Sequence, residues 1–523
     1  MLLCAQYILP VSSEPIIDGA VLVRDGVIRD IGKAEQLRLR YPEEEVVDQG
    51  LAAVMPGLVD LHTRLEQSVL RGVVNDAPYV QWLAEVAQKS GRMEASDWFD
   101  SAILGGLDAL SSGITTVADI TLTGASCTAV NKLGLRSVIY RQVGAMDKNR
   151  IDAAMQFAQK DILHWREEVD SDRVAIGIAA APLFTNHPAM LSAISKFAQK
   201  EDLPVALWLA GSREESDFVR YGSSPFQVHG GDVKRGYVEI PPWLPTGVSP
   251  VRYALNWNAF DADNVMIIGA VYVDDEDLKK LRSHNVAVCV CPRASAQLGM
   301  GVAPLDEYIR AGLRVGLGTD SPAATESTDM LSEMRLGMLL QRAVNPGRFL
   351  DSHTMLEVAT LGGARALGIA DKVGSLEIGK CADMIAVDLS SSHQSFTTDP
   401  VAAVVNTCTT ADVLMTMVDG NVLYEKNRWH VKVEVAKSIA RVIEIRSKLR
   451  PAASRAQSLS GVLGAVVNSW RARRGRHFRW RGAPASAIMP YLRILEVGNL
   501  RSTRDVEQEE QDRREEPHAQ AAG

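Results

Sequence analysis

The chain has 523 residues, 56 basic and 64 acidic side chains and a net charge of −8, which excludes a generally basic protein that coats nucleic acid. With 46% hydrophobic and 23% charged residues and a mean hydropathy of −0.03, the composition is that of a globular chain with a large core. The six cysteines are scattered and form no disulfide framework or CxxC zinc pattern. The first fifteen residues, MLLCAQYILPVSSEP, lack a basic leader region, and no apolar run is long enough to span a bilayer, so a cytoplasmic protein without membrane contact is expected.

In chain order, residues 1–54 read as short β segments with turns, including the hairpin signal Asp25-Gly26 between two apolar runs. From there to residue 371 apolar, β-branched runs of strand length alternate with longer amphipathic stretches. The predicted strands are 54–62, 113–120, 136–143, 174–182, 204–211, 265–273, 286–292 and 314–320. Eight apolar strands separated by helical segments predict a parallel sheet covered on both faces, and the count suits an α/β fold of the (β/α)8 TIM type; a doubly wound open sheet is the alternative. Ser96 and Asp97 offer an N-cap for a helix that Gly113 stops.

Hairpin texture returns over 372–430, so the barrel at 55–371 is expected to be inserted in a small β-sandwich built from 1–54 and 372–430. A helix is predicted at 431–450, with Val435, Ile439, Val442, Ile443, Arg446 and Leu449 on one face. In 451–523 lysine is absent, six arginines crowd 471–481 between Trp470, Phe478 and Trp480, and acidic residues follow. That stretch is expected to be a disordered tail, with contact to single-stranded RNA as the alternative.

Three segments resemble the amidohydrolase superfamily: VMPGLVDLHTR at 54–64, GLGTDSP at 316–322 and VGSLEIGKCAD at 373–383. With GITTVAD at 113–119 and LSEMRL at 331–336, they place the chain beside the cytosine deaminase, adenosylhomocysteine deaminase and triazine hydrolase branch. The resemblance implies hydrolysis of a non-peptide C–N bond in a heterocyclic amine, with a zinc or iron ion acidifying a water.

Position by position the resemblance is incomplete. His62 matches the first histidine of the HxH pair, but Arg64 stands at the second, with no lone pair to offer. Trp208 occupies the ligand position of the fifth strand and Gly211 that of the acid glutamate; Gly269 replaces the ligand of the sixth strand. Only His62 and Asp320 remain of the four metal ligands, so no cofactor is expected unless Cys289 and Cys291 or other residues rescue a divalent metal; these cysteines are expected to face the helices.

Asp320 is the candidate base, and Arg64 its candidate ion-pair partner in place of the metal's charge, Glu66 being the other partner within reach. Trp82, Leu183, Tyr272 and Val290 are candidate pocket residues, and His187 and His229 fall in predicted loops. Two functions follow: a deaminase-like hydrolase, or a catalytically inactive relative that binds a small molecule or assembles as a homo-oligomer or with an intact relative.

Overall fold

The computed structural model describes residues 1–222, 245–395 and 397–449. The expected tail and His229 lie outside the described residues.

Seventeen strands occur among them. Those of the first sheet's N-terminal part are β1 (Leu2–Ile8), β2 (Ile16–Arg24), β3 (Val27–Lys33), β4 (Val46–Asp48) and β5 (Ala52–Pro56). The barrel strands follow: β6 (Leu58–Thr63), β7 (Ile114–Thr121), β8 (Arg136–Val143), β9 (Val174–Ala180), β10 (Val205–Leu209), β11 (Val265–Gly269), β12 (Ala287–Val290) and β13 (Val315–Leu317). β14 (Met384–Asp388), β15 (Val413–Val418), β16 (Asn421–Glu425) and β17 (Arg428–Trp429) return to the first sheet.

The barrel strands are parallel and run in chain order from β6 to β13. The ring closes where Thr63 bridges Asp320 and the Asp320 amide donates to the His62 carbonyl at 2.8 Å. Every residue of β7 and β8 is buried, which is why these strands read as unbroken apolar runs: helices cover them outside and neighbouring side chains fill the centre.

The other sheet is mostly antiparallel and joins both ends of the chain through the pairing of β5 with β14. Its β2–β3 hairpin turns at Asp25 and Gly26, both with positive φ, the backbone that a two-residue turn of matching twist needs. The hairpin folds back so that the Ile28 amide donates to Lys380 and Val27 bridges Cys381, around a core of Leu3, Ile8, Val21, Ile28, Met384 and Met417. The chain leaves this sheet for the barrel at Gly57, where a Cβ would collide with the Thr115 side chain at 2.0 Å. The single predicted strand 54–62 is therefore two strands in two different sheets. Arg136, buried at the foot of β8, ties the sheets together by pairing with Asp383 at 2.7 Å and with Asp419.

The helix Ala95–Ser111 starts one residue before the predicted cap, with Asp97 accepting from the Glu94 amide at 3.1 Å. The helix Val435–Leu449 buries Val442, Ile445 and Leu449, whereas Ile439 and Ile443 are 42% and 67% exposed. Val442 and Leu449 belong to the predicted face, but the contact face is turned by roughly a sixth of a turn toward Ile445, because the helix docks on the helix Ala95–Ser111 through Arg441 and Lys448. Among the described residues no helix is long and apolar enough to cross a membrane.

Candidate active site at the barrel mouth

The carboxyl ends of the strands carry the candidate residues. At the end of β6 the His62 side chain is buried, and its Nε2 stands 3.3 Å from Oδ1 of Asp320, too poorly aligned for a hydrogen bond. Asp320 has a φ of +58°, a conformation costly for a residue other than glycine; its Oδ1 accepts from the Ser321 amide at 2.6 Å. Burial pushes the Asp320 carboxyl up, but His62, the charge of Arg64 and the Ser321 amide outweigh it and hold the group below its usual value. Burial, aided by Arg64, holds His62 below its usual value despite Asp320. The pair is therefore a neutral imidazole against an ionised carboxylate at neutral pH.

The expected Arg64–Asp320 pair takes another form. Arg64 donates from Nη1 to Gln142 Oε1 on β8 at 3.2 Å, so it acts on Asp320 through space and not as a salt-bridge partner. The long guanidinium arm reaches past the adjoining strand. Nor does Glu66 hold Arg64: its buried carboxylate accepts from Thr121, from Thr123 Oγ1 at 2.7 Å and from the Ala125 amide at 3.1 Å.

Two further carboxylates that the sequence reading did not single out stiffen this mouth. Asp60 accepts from the Thr319 amide at 3.0 Å and its hydroxyl at 2.6 Å, tying β6 to the residue before Asp320, and burial pushes it up to about 7. Asp119, at the end of the GITTVAD segment, accepts from the Leu65 amide at 2.7 Å and is likewise raised to about 7 by burial. A strand-end aspartate two residues before a candidate histidine was the available signal for Asp60.

Trp208, at the end of β10, is buried with its indole ring centroid 6.2 Å from that of His62 and 6.3 Å from that of Tyr79, nearly parallel to the latter. Its Nε1 has no hydrogen-bond partner. A Cβ at Gly211 would lie 2.6 Å from the indole, and one at Gly269 would lie 2.9 Å from the Gly211 Cα. The three positions are thus packed onto one another. Gly269 has a φ of +96°, and Ala210 and Ala270 also have positive φ, so the ends of β10 and β11 hold strained backbone beside the indole. Glu215, one helical turn beyond Gly211, is fully buried; its Oε2 accepts from the Gly211 amide at 3.0 Å, its Oε1 is unpartnered, and burial pushes it up to about 8.

The expected pocket residues separate. Trp82 is buried in the helix Tyr79–Ser90 and donates to the Ala323 carbonyl at 3.2 Å, joining the loops after the first and last barrel strands. Leu183 is buried at the start of a 3₁₀ turn after β9. Tyr272 is half-buried, with its amide on the Ala210 carbonyl at 3.0 Å. Val290 lines a small cavity whose other walls include Leu305, Gly337 and Gln341 and do not include His62. His187 accepts from the Ala189 amide at 3.2 Å through Nδ1, just before the helix Ala189–Glu201. The sulfurs of Cys289 and Cys291 are 3.8 Å apart; burial raises the Cys289 thiol against the lowering effect of Cys291, whereas Cys289 and burial together raise that of Cys291. Cys289, expected to face the helices, lies against Gly318 beside the His62 backbone.

The donor set does not fit the ion that the resemblance implies. Zinc sites use three or four nitrogen, sulfur or oxygen donors. Among the described residues no group of three or more His, Cys, Asp or Glu side chains is arranged to hold a metal ion, and beside His62 and Asp320 the ring is completed by Arg64, Trp208 and Gly269.

Residues 53–423 match the model of the amidohydrolase family, and residues 19–43 that of a bacterial imidazolonepropionase-like composite domain. The chain belongs to the amidohydrolase family. Within it, the chain is 29% identical over 417 residues to a 5-methylthioadenosine/S-adenosylhomocysteine deaminase of Pelotomaculum thermopropionicum, covering 79% of this chain and 89% of that one. A deaminase of the same name from Pyrococcus furiosus is 27% identical over 415 residues, 78% of this chain and 91% of its own. Among solved structures, a zinc-bound adenosine deaminase of Xanthomonas campestris superposes with a TM-score of 0.74 at 24% identity, covering 86% of this chain and 98% of that one. The zinc complex of an atrazine chlorohydrolase of Arthrobacter aurescens gives 0.72 at 22%, with 85% and 99% covered. These relatives place this amidohydrolase in the deaminase-like branch.

Proposed function

We propose that this chain is a deaminase-like hydrolase of a non-peptide C–N bond, acting on an aminated heterocycle, with purine nucleosides as the first class to test. The observation that carries the reading is the similarity, over about four-fifths of the chain, to proteins named as deaminases of methylthioadenosine and adenosylhomocysteine. The site residues are consistent with it. The rings of Tyr79 and Trp208 offer apolar faces on which a base would stack, and His62 and Asp320 stand together at the strand ends. Asp320, ionised and buried, would accept a proton from an attacking water, and Arg64 would favour charge developing beside it. The protein would work in the cytoplasm.

A second reading is favoured by one specific feature, the two-donor set at the mouth: a catalytically inactive relative that binds the same class of ligand, or assembles with further copies or an intact relative. One experiment separates them. Ammonia release from adenosine, 5-methylthioadenosine, S-adenosylhomocysteine, cytosine and aminotriazines is measured beside titration calorimetry of the same compounds. Release above that of Asp320→Asn supports the hydrolase; heat of binding without release supports the second reading and overturns the first.

A further inference from the structure

We propose that this barrel mouth is a metal-free one, in which the Trp208 indole fills and the Arg64 cation neutralises the place of a divalent ion, while His62 and Asp320 keep the spacing of two ligands. The inference does not depend on whether the chain turns a substrate over.

The retained half is recognisable by distance. Two ligands about 2.1 Å from a tetrahedral ion lie about 3.4 Å apart. Nε2 of His62 and Oδ1 of Asp320 are 3.3 Å apart, and both imidazole nitrogens lack a hydrogen bond although the ring is buried. The backbone that sets this edge is fixed independently of any ion, by the Asp320 amide on the His62 carbonyl at 2.8 Å and by the Asp60 carboxylate on Thr319.

The other half is filled. The indole of Trp208 lies between His62 and Tyr79 and covers Gly211, and Gly269 cannot carry a side chain: its φ is +96° and its Cβ would meet the Gly211 Cα at 2.9 Å. Arg64 brings a positive charge that acts on both members of the pair. A second positive ion beside a guanidinium would be repelled, whereas the buried Asp320 carboxylate already has a countercharge. The backbone thus withholds a ligand at Gly269, and what excludes the ion from the remaining positions is two side chains, Arg64 and Trp208.

The test uses the full chain, dialysed against a chelator, incubated with Zn2+, Fe2+, Mn2+ or Ni2+, desalted, and measured for metal content and Tm. The expected result for the native sequence is a metal-to-chain ratio near zero and a Tm that neither chelator nor metal changes. The doubly substituted R64H/W208H chain, which would offer about four donors, is expected to retain about one zinc per chain and to gain Tm with zinc. About one ion per native chain, or a Tm that falls on chelation, would overturn the proposal. So would a folded double variant that stays empty, since exclusion would then not lie in Arg64 and Trp208. Should the variant fail to fold, the native chain's metal content and Tm decide the matter alone.

Discussion

The indole of Trp208 occupies the space over Gly211: a methyl group placed there would stand 2.6 Å from the ring. Gly211→Ala should therefore cost about 1–3 kcal/mol in urea unfolding, the usual cost of forcing extra volume into packed surroundings. In a Trp208→Ala background the same change should be close to neutral. Equal costs in the two backgrounds would show that the ring does not press on this position.

Glu215 predicts a pH dependence. Burial raises its carboxyl from the ordinary 4.5 to about 8, so the folded chain holds a proton over a range in which the unfolded chain has lost it. Its contribution therefore weakens stability as pH rises from about 4.5 to about 8 and is constant above that. Glu215→Gln, which keeps an oxygen for the Gly211 amide, should be no more stable than the native chain near pH 4.5 and increasingly more stable toward pH 8, by at most about 5 kcal/mol. Parallel Tm-against-pH curves for the two chains would contradict this.

Arg136 is nearly fully buried against Asp383 and joins the barrel to the sheet formed by the chain ends. Arg136→Met strands the Asp383 carboxylate, and should cost about 3–5 kcal/mol in chemical denaturation. Adding Asp383→Asn should return most of that loss, because the destabilisation comes from an unpaired buried charge and not from the missing attraction.

Arg446, on the helix Val435–Leu449, donates to the carbonyls of Val69, at 3.1 Å, and Arg71, in the loop that follows His62 and Arg64. Arg446→Ala should speed amide hydrogen exchange over residues 65–76 while leaving β8 and β9 protected. Unchanged exchange in that loop would mean that Trp82 and the Ser321 hydroxyl, which donates to Gln67 Oε1 at 2.6 Å, hold it without the helix.

The eight barrel strands and their order were legible because a strand buried on both faces must be apolar throughout, and the helices between them carry their own caps and glycine stops. The split at Gly57 was not. A continuous apolar run has the same composition whether it serves one sheet or two; the two halves are distinguished by their partners, β1 and β14 for β5 and β7 for β6, with Gly57 at the crossing where a Cβ would meet Thr115. The adjacency of the first and last strands followed from barrel closure, but the partner of Arg64 did not: a side chain of that length can reach several strands, and the geometry selected Gln142. On the last helix the choice between Ile443 and Ile445 depended on where the helix Ala95–Ser111 stands, which periodicity alone leaves open.

The sequence by itself determined the family, the alternation that makes the barrel, and the identities of His62, Arg64, Trp208, Gly211, Gly269 and Asp320 at its strand ends. The tertiary structure alone decided that His62 and Asp320, more than 250 positions apart, meet at 3.3 Å, that Arg64 turns to Gln142, and that Trp208 closes over the two glycines. The reason is physical. Strand and helix signals are written in the periodicity of neighbouring residues, whereas contacts across a mouth exist only after the ring of strands has closed and fixed which side chains share its limited volume.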